Sequence, residues 1–341
     1  MNKTINKTLI IGPSWVGDTI MAQCLFKLLK QTDPAVQIDV LSPAFLHPLL
    51  KRMPEVNQAI NLNLKHDELG LKKRYHLAKI LRAKNYAQAI VLPNSLKSAL
   101  IPFLAGIPLR TGWRGEWRYG LLNDLRILDK VRYPLMIERF MALGLAPEAS
   151  LPEEYPFPNL VVDKNAANKT AMDPRFRGDD TTKGVLALCP GAEYGEAKRW
   201  PAEYFAQIAN QKLDDFWQVW LFGGEKDEEV GKKIQNQTQQ RCVNLIGKTN
   251  LGEAIDLLSL TDFVITNDSG LMHVAASLDK KIIAIYGSSS PKFTPPLSDK
   301  VEILQSKLPC SPCFKRTCKF GHYKCLREII PEMVLKTLGK L

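Results

Sequence analysis

The chain has 341 residues, of which 45% are hydrophobic and 24% are charged, a composition that is typical of a globular protein and excludes a collagen-like or disordered chain. At about 150 residues per domain, the length predicts two domains. The seven cysteines are an odd number, which favours a reducing cytoplasm over a disulfide framework. The polar residues 1–8 indicate no signal peptide, and prolines interrupt the most apolar stretch, residues 90–109, so we expect no membrane-spanning helix.

Charge is distributed unevenly along the chain. The formal net charge is +11; residues 1–160 hold 21 basic and 13 acidic side chains (+8), and residues 161–341 hold 25 and 22 (+3). The first half should therefore attract anions more strongly, whether nucleic acid, a membrane surface or an acidic substrate. Charge alone does not choose among these three.

In the first half, short β-branched segments alternate with longer amphipathic segments, which is typical of parallel α/β units. This alternation predicts strands at Thr8–Gly12, Gln37–Leu41, Gln58–Leu62, Ala87–Leu92 and Arg110–Trp113. It predicts helices at Asp18–Lys30, Leu69–Lys84 and Tyr133–Leu143. Residues 1–162 form the expected first domain, and the polar residues 163–183, which contain Gly and Pro, are interpreted as a linker or a surface insertion.

The same alternation restarts at residue 184 and predicts a second domain over residues 184–341. Its strands are expected at Val185–Cys189, Gln218–Phe222, Asp262–Thr266 and Lys281–Tyr286. Its helices are expected at Ala202–Lys212, Glu225–Gln239, Gly252–Leu260 and Ser269–Leu278, and the last helix of the chain is one that can pack back on the first domain. The predicted fold class is α/β, with a parallel sheet in each half and a cleft between them where ligands bind at the carboxyl ends of the strands.

The loop after the first strand leads into a helix whose first turn contains Asp18. Gly17 permits a tight turn before it. A carboxylate at this place can cap the helix or interact with its dipole, or it can act as a general base toward a bound substrate. No GxGxxG motif occurs, so a dinucleotide fingerprint is not supported.

The second domain opens with a strand and a loop of small residues, 190–201, which includes Gly191 and carries Lys198 and Arg199 just before a helix. This pattern suits an anionic ligand such as a diphosphate, with Lys198 as a point charge, and the alternative is two solvated basic side chains. Glu225 follows the next strand. It can accept hydrogen bonds from a ribose diol, or serve only as a carboxylate at a helix N-terminus.

The strongest local motif is TNDSGLMHVAA at residues 266–276. Asp268, Ser269 and Gly270 stand between a strand and a helix of small residues, which permits close approach of a ligand to the backbone. His273 lies one turn into that helix, where a structural histidine and one that faces a ligand are both compatible with the pattern.

Other motifs are absent or ambiguous. There is no Asp-x-Asp, Gly-x-Ser-x-Gly or GxxxxGK[ST], which argues against a dedicated divalent-metal site, a serine hydrolase and a P-loop NTPase. Four cysteines near the end, Cys310, Cys313, Cys318 and Cys325, have the spacing C-x2-C-x4-C-x6-C. They can be ligands of a structural zinc ion or free thiols in a basic tail.

Five blocks of sequence together carry a family resemblance. They are GPSWVGDTIMAQ (12–23), RTGWRGEWRYGLLND (110–124), PGAEYGEAKRWP (190–201), NDSGLMHVAA (267–276) and CSPCFKRTC (310–318). With these blocks in this order, nearly the whole chain resembles the ADP-heptose:lipopolysaccharide heptosyltransferases of glycosyltransferase family 9. The second and fifth blocks favour the branch of the family whose acceptor already carries one heptose. Residues 163–183 depart from the family by their length.

The resemblance implies a GT-B fold, two Rossmann-like domains facing across a cleft, with the nucleotide sugar held by the second domain. It implies inverting transfer from ADP-L-glycero-β-D-manno-heptose to heptosyl-Kdo-lipid A, with no cofactor required. Asp18 matches the family's proposed general base, Lys198 its phosphate-binding lysine, Glu225 its ribose-contacting acid and Asp268 its essential donor-site aspartate. Other candidate donor-binding residues in the matching blocks are Gly191, Arg199, Ser269, Gly270 and His273.

An anionic acceptor in a membrane leaflet would account for the basic first half. Two basic segments edged by aromatic residues supply the candidate acceptor-binding residues, Lys72, Lys73, Arg74, Trp113, Arg114 and Arg118. A solvated helix face is the alternative for the lysine-rich segment. We expect a cytoplasmic protein that lies peripherally on the anionic inner-membrane surface.

Three other functions are compatible with parts of the sequence. A family member with a different acceptor would keep Asp18 and Lys198 and alter the acceptor segments. A nucleotide-sugar epimerase of similar two-domain shape shares a Ser-Gly…His loop but acts without an acceptor. The charge permits a nucleic-acid-binding module, but no helix-turn-helix, RRM or KH signature occurs, so we expect no nucleic-acid partner.

Overall fold

The computed structural model describes residues 6–64, 68–163 and 181–341. The chain divides into two compact units, Met1–Pro158 and Asn159–Leu341. The division lies four residues before the expected domain end at residue 162. Leu160 already belongs to the second unit, where its N–H donates to the carbonyl of Ser277 at 3.1 Å. Residues 164–180, most of the predicted linker, lie outside the described residues.

The first unit is built on a parallel sheet in the order β3-β2-β1-β4-β5-β6. Its strands are β1 (Lys7–Ile11), β2 (Gln37–Ser42), β3 (Val56–Asn61), β4 (Gln88–Val91), β5 (Leu109–Trp113) and β6 (Asp124–Arg126). Its helices are α1 (Val16–Thr32), α2 (His47–Leu50), α3 (Leu71–Arg82), α4 (Leu96–Leu104) and α5 (Met136–Ala142). Leu9, Ile10, Ala89 and Ile90 on the central strands are fully buried, as apolar strands covered on both faces require.

The second unit repeats this architecture in the order β12-β11-β10-β7-β8-β9. Its strands are β7 (Val185–Cys189), β8 (Gln218–Leu221), β9 (Val243–Asn244), β10 (Phe263–Asn267), β11 (Lys281–Tyr286) and β12 (Val301–Gln305). Its described helices are α6 (Ala202–Asp214), α7 (Glu228–Gln237), α8 (Leu251–Leu258), α9 (Gly270–Ser277), α10 (Lys324–Arg327) and α11 (Pro331–Leu338).

Each sheet has a point where the strand order reverses. In the first unit β1 pairs with both β2 and β4, and in the second unit β7 pairs with both β8 and β10. In open α/β sheets, ligands bind outside the carboxyl ends of the strands at this point. Asp18 follows the loop after β1, and the loops that carry Lys198 and Asp268 follow β7 and β10, so the fold places all three at switch points.

The structure differs from the predicted elements where the local pattern is weak. All nine predicted strands are present, but β6, β9 and β12 lie on or next to sheet edges and were not predicted. Helix α4 was missed because it contains Pro102, which has no N–H and usually ends a helix. The last helix, α11, places Val334 and Leu338 in the core of the second unit, where they pack in one cluster with Trp200.

Candidate active site

Asp268 stands where three loops of the second unit meet. Its Oδ2 accepts hydrogen bonds from Lys198 Nζ at 2.6 Å and from the hydroxyl of Ser289, in the loop after β11. The side chain of Asp268 is 4% exposed and that of Lys198 is 16% exposed, so the ion pair is largely withdrawn from solvent. Attraction between opposite charges is stronger there than in water, and the pair therefore fixes the position of the lysine.

Asn267, next to Asp268, holds the loop of residues 190–201 in place. Its buried amide donates from Nδ2 to the carbonyl of Pro190 at 2.7 Å and accepts at Oδ1 from the N–H of Trp200 at 3.0 Å. Both ends of the loop that carries Lys198 are thus tied to β10. The roles of Asn267 and Ser289 are not visible in the local sequence, because their partners lie in other loops of the second unit.

Arg199 and Gly191 pack against one carboxylate, that of Asp227. Arg199 Nη2 lies 3.1 Å from Asp227 Oδ1, and a Cβ added to Gly191 would lie 2.2 Å from Asp227 Oδ2, so a side chain at position 191 would require the Asp227 carboxylate to move. Burial raises the pKa of Asp227, and the charge of Arg199 opposes that rise. Glu225 lies two residues earlier, exposed in a 3-10 turn that follows β8.

The residues of the motif around α9 differ in position and burial. Ser269 is the N-cap residue of α9 without a side-chain capping bond, and Gly270 is the first helical residue. His273 is 5% exposed. Burial lowers its pKa to about 4; the charge of Asp268 opposes this shift and that of Lys198 adds to it. His273 is therefore neutral at pH 7, as a structural histidine would be.

In the first unit, Asp18 is half-buried in the first turn of α1. The start of this helix is secured by Thr19, whose N–H and hydroxyl both donate to the carbonyl of Trp15, at 3.0 and 2.8 Å. Trp15 is the N-cap residue, makes no side-chain capping bond and is 43% exposed.

The six predicted acceptor-binding residues divide by exposure. Lys72, Lys73 and Arg114 are exposed, whereas Arg74, Trp113 and Arg118 are 3%, 5% and 1% exposed.

The buried three have structural partners. Trp113 donates from Nε1 to the carbonyl of Arg139 at 3.0 Å. Arg74 donates to the carbonyls of Leu69 and Lys97 at 2.7 and 2.9 Å. Arg118 donates to the carbonyls of Pro93, at 2.6 Å, and of Trp113. Their burial corrects the expectation that these side chains present charge or an aromatic face at the surface: they bond backbone segments of the first unit to one another.

A sequence model of glycosyltransferase family 9 (heptosyltransferase) matches residues 74–324. The chain belongs to glycosyltransferase family 9. Lipopolysaccharide heptosyltransferase 2 of Escherichia coli K12 is 45% identical to it over 98% of both chains. Lipooligosaccharide heptosyltransferase 2 of Haemophilus influenzae is 44% identical, again over 98% of both. The solved structure of E. coli ADP-heptose lipopolysaccharide heptosyltransferase II aligns with a TM-score of 0.87 at 44% identity, covering 98% of each chain.

Membership of family 9 confirms the predicted fold class and enzyme class. The two parallel six-stranded units and the alignment with a family structure agree with the GT-B prediction. The protein is a glycosyltransferase, which favours the transferase interpretation over the epimerase and nucleic-acid alternatives.

Two further expectations concern metal and membrane. Burial raises the pKa of the Cys325 thiol. The pKa of the Cys318 thiol is lowered by hydrogen bonds from nearby backbone N–H groups, chiefly that of Tyr323. Within residues 6–64, 68–163 and 181–341, no three His, Cys, Asp or Glu side chains are grouped so that they could hold a metal ion. Over the same ranges, no helix is long and apolar enough to cross a membrane.

Proposed function

We propose that this family 9 enzyme transfers L-glycero-D-manno-heptose from ADP-heptose to the first heptose of the lipopolysaccharide inner core, with inversion at the anomeric carbon. The observation that carries the proposal is the desolvated cluster of Lys198, Asp268 and Ser289 at the switch point of the second unit, where α/β folds bind nucleotides. Full-length similarity to proteins named heptosyltransferase 2 favours an acceptor that already carries one heptose.

The second unit supplies the donor site in this proposal. Lys198, Arg199 and the backbone N–H groups at Ser269 and Gly270 meet the diphosphate, since a helix N-terminus and fixed cations stabilise the charge of a leaving phosphate. Glu225, exposed after β8, accepts hydrogen bonds from the ribose diol. No metal ion or cofactor enters the proposal, because the groups that it places on the diphosphate are side-chain cations and backbone N–H groups of this chain.

Asp18 is the proposed general base. The oxygen of the acceptor hydroxyl forms a bond to the anomeric carbon while the bond from that carbon to the diphosphate oxygen breaks, and the electron pair leaves with ADP. The proton of the acceptor hydroxyl passes to the Asp18 carboxylate. A positioned base of this kind contributes about 10²- to 10⁴-fold to the rate.

Exposed side chains of the first unit carry the acceptor side of the proposal. Helix α3 exposes Lys72 and Lys73 together with Tyr75 (61% exposed) and Ile80 (50% exposed), and Arg114 is exposed after β5. Exposed basic and apolar side chains suit an anionic leaflet, in which apolar side chains enter the headgroup region and basic ones meet phosphates. We propose a cytoplasmic protein that binds the inner-membrane surface peripherally and takes heptosyl-Kdo-lipid A there.

Heptose transfer in the presence of EDTA tests the proposal. The wild type should form product with heptosyl-Kdo-lipid A, and Asp18→Ala should bind ADP normally but lose at least about 100-fold in turnover. Asp33→Ala, which removes a carboxylate at the other end of α1, is the matched control and should remain active. Transfer only to the core without heptose would overturn the acceptor assignment, and normal turnover by Asp18→Ala would overturn the role of this base.

A further inference from the structure

Tyr194, in the loop that carries Lys198, contacts two cations. Lys198 Nζ lies 4.9 Å from the centroid of the tyrosine ring, and the guanidinium carbon of Arg316 lies 5.5 Å from it. The Tyr194 hydroxyl donates to the carbonyl of Phe314 at 2.6 Å, which fixes the ring. The adjacent Gly195 (φ +148°) packs so closely that a Cβ would lie 2.6 Å from the Arg316 carbonyl oxygen. Arg316 therefore lies next to the donor-site lysine.

The backbone around Arg316 is bonded to two loops of the site. The N–H of Ala197, the residue before Lys198, donates to the Arg316 carbonyl at 3.0 Å. The N–H of Phe314 donates to the carbonyl of Ser288, in the loop after β11, at 2.7 Å. The position of Arg316 is thus set by the same loops that form the Lys198–Asp268 cluster, although it lies more than a hundred residues from Lys198 in the chain.

The other cations of the donor loop already have acidic partners. Lys198 pairs with Asp268 at 2.6 Å and Arg199 with Asp227 at 3.1 Å. Arg316 is exposed and forms no ion pair with any acidic side chain of residues 6–64, 68–163 or 181–341. A bound diphosphate would add negative charge that the two internal pairs do not offset, whereas Arg316 can offset it.

We propose that Arg316 is a further donor-binding residue, whose guanidinium contacts the diphosphate of ADP-heptose from its place on the Tyr194 ring. This inference rests on the proposed function, because it takes ADP-heptose as the ligand. A planar guanidinium forms paired hydrogen bonds with phosphate oxygens and stacks on aromatic rings. Its charge also stabilises the negative charge that accumulates on ADP as the bond to the sugar breaks.

Calorimetric titration of Arg316→Gln with ADP, AMP and adenosine tests the assignment. Loss of a charged hydrogen bond should weaken ADP binding about tenfold, weaken AMP binding less and leave adenosine binding unchanged. Arg316→Lys should recover part of the loss. Lys315→Gln removes the charge of the neighbouring exposed residue and is the matched control, which should bind ADP as the wild type does.

Equal ADP affinity in Arg316→Gln and Lys315→Gln would overturn the assignment. An equal loss for ADP and adenosine would also overturn it, because the effect would then be structural and would not come from the phosphates. Failure of the wild type to bind ADP would overturn the proposed function itself, and this outcome is distinguishable because it appears before any substitution is made.

Discussion

The Lys198–Asp268 pair should stabilise the second unit as well as bind the donor. In Lys198→Gln, the Asp268 carboxylate, which is 4% exposed, loses its cation and keeps the Ser289 hydroxyl. Removing one partner of a buried ion pair costs about 3–5 kcal/mol. Because Lys198 is itself 16% exposed, water can replace part of the lost interaction, and we expect the lower end of that range, about 3 kcal/mol.

Thermal and urea unfolding measure this effect. For a unit of this size, each kcal/mol shifts the Tm by about 2–4 °C, so Lys198→Gln should unfold about 6–12 °C lower than the wild type. The double variant Lys198→Gln/Asp268→Asn removes the isolated charge and should recover most of the stability. Both variants should be inactive in heptose transfer, because both lack Lys198, which the proposed function places on the diphosphate.

The double variant separates two interpretations of the pair. If Lys198→Gln is as stable as the wild type, the ion pair makes no net contribution and the desolvation argument is wrong. If the double variant is no more stable than the single one, the loss of stability comes from packing of the lysine side chain rather than from the unpaired, buried Asp268 carboxylate.

Three further outcomes follow from buried groups. Burial lowers the His273 pKa from 6.5 to about 4, so stability that is fully present above pH 6.5 should be lost as the pH falls toward 4, by up to about 3 kcal/mol. In urea unfolding, His273→Gln should show a weaker dependence of stability on pH. An unchanged dependence would contradict the lowered pKa. Gly191→Ala places a Cβ 2.2 Å from a carboxylate oxygen and should lower the unfolding free energy by about 1–3 kcal/mol. In the same assay Gly224→Ala, which has nothing within 4 Å of the added Cβ, should leave the unfolding free energy nearly unchanged. Arg118→Lys should cost about 2 kcal/mol of stability by thermal unfolding. Exposed Arg114→Gln should leave the Tm unchanged and raise the KM for the acceptor. An unchanged Tm in Arg118→Lys together with a raised KM for the acceptor would contradict the structural role of Arg118.

The central strands of both sheets were predictable because their pattern is local. A run such as Val185–Cys189 is apolar throughout, as a strand covered on both faces must be, and the structure has a strand with those bounds. The edge strand β9 has only two residues, Val243 and Asn244, and no such run marks it. Helix α4 was not predicted for a different reason: Pro102 usually indicates the end of a helix, but burial of Ala99 and Ile101 stabilises the helix here.

The meeting of Lys198 and Asp268, the proposed donor site, was predictable because both lie in short loops that follow strands. Lys198 and Asp268 lie seventy residues apart, yet each follows a strand, and parallel strands bring their carboxyl ends to one edge of the sheet.

The acceptor-binding candidates were harder to predict. Alternation of basic and aromatic residues predicts a charged surface, but it does not show that the Arg118 guanidinium donates its hydrogen bonds to backbone carbonyls.

The sequence by itself determined the two α/β units, the family and the loops that carry Asp18, Lys198 and Asp268, because strand pattern and loop chemistry are properties of neighbouring residues. Only the tertiary structure decided which polar groups are available. It buried Arg74 and Arg118 against carbonyls, made His273 a neutral histidine, and brought Arg316 to the ring of Tyr194. The physical reason is that exposure and pairing depend on contacts between segments distant in the chain, and such contacts exist only after the sheets have formed.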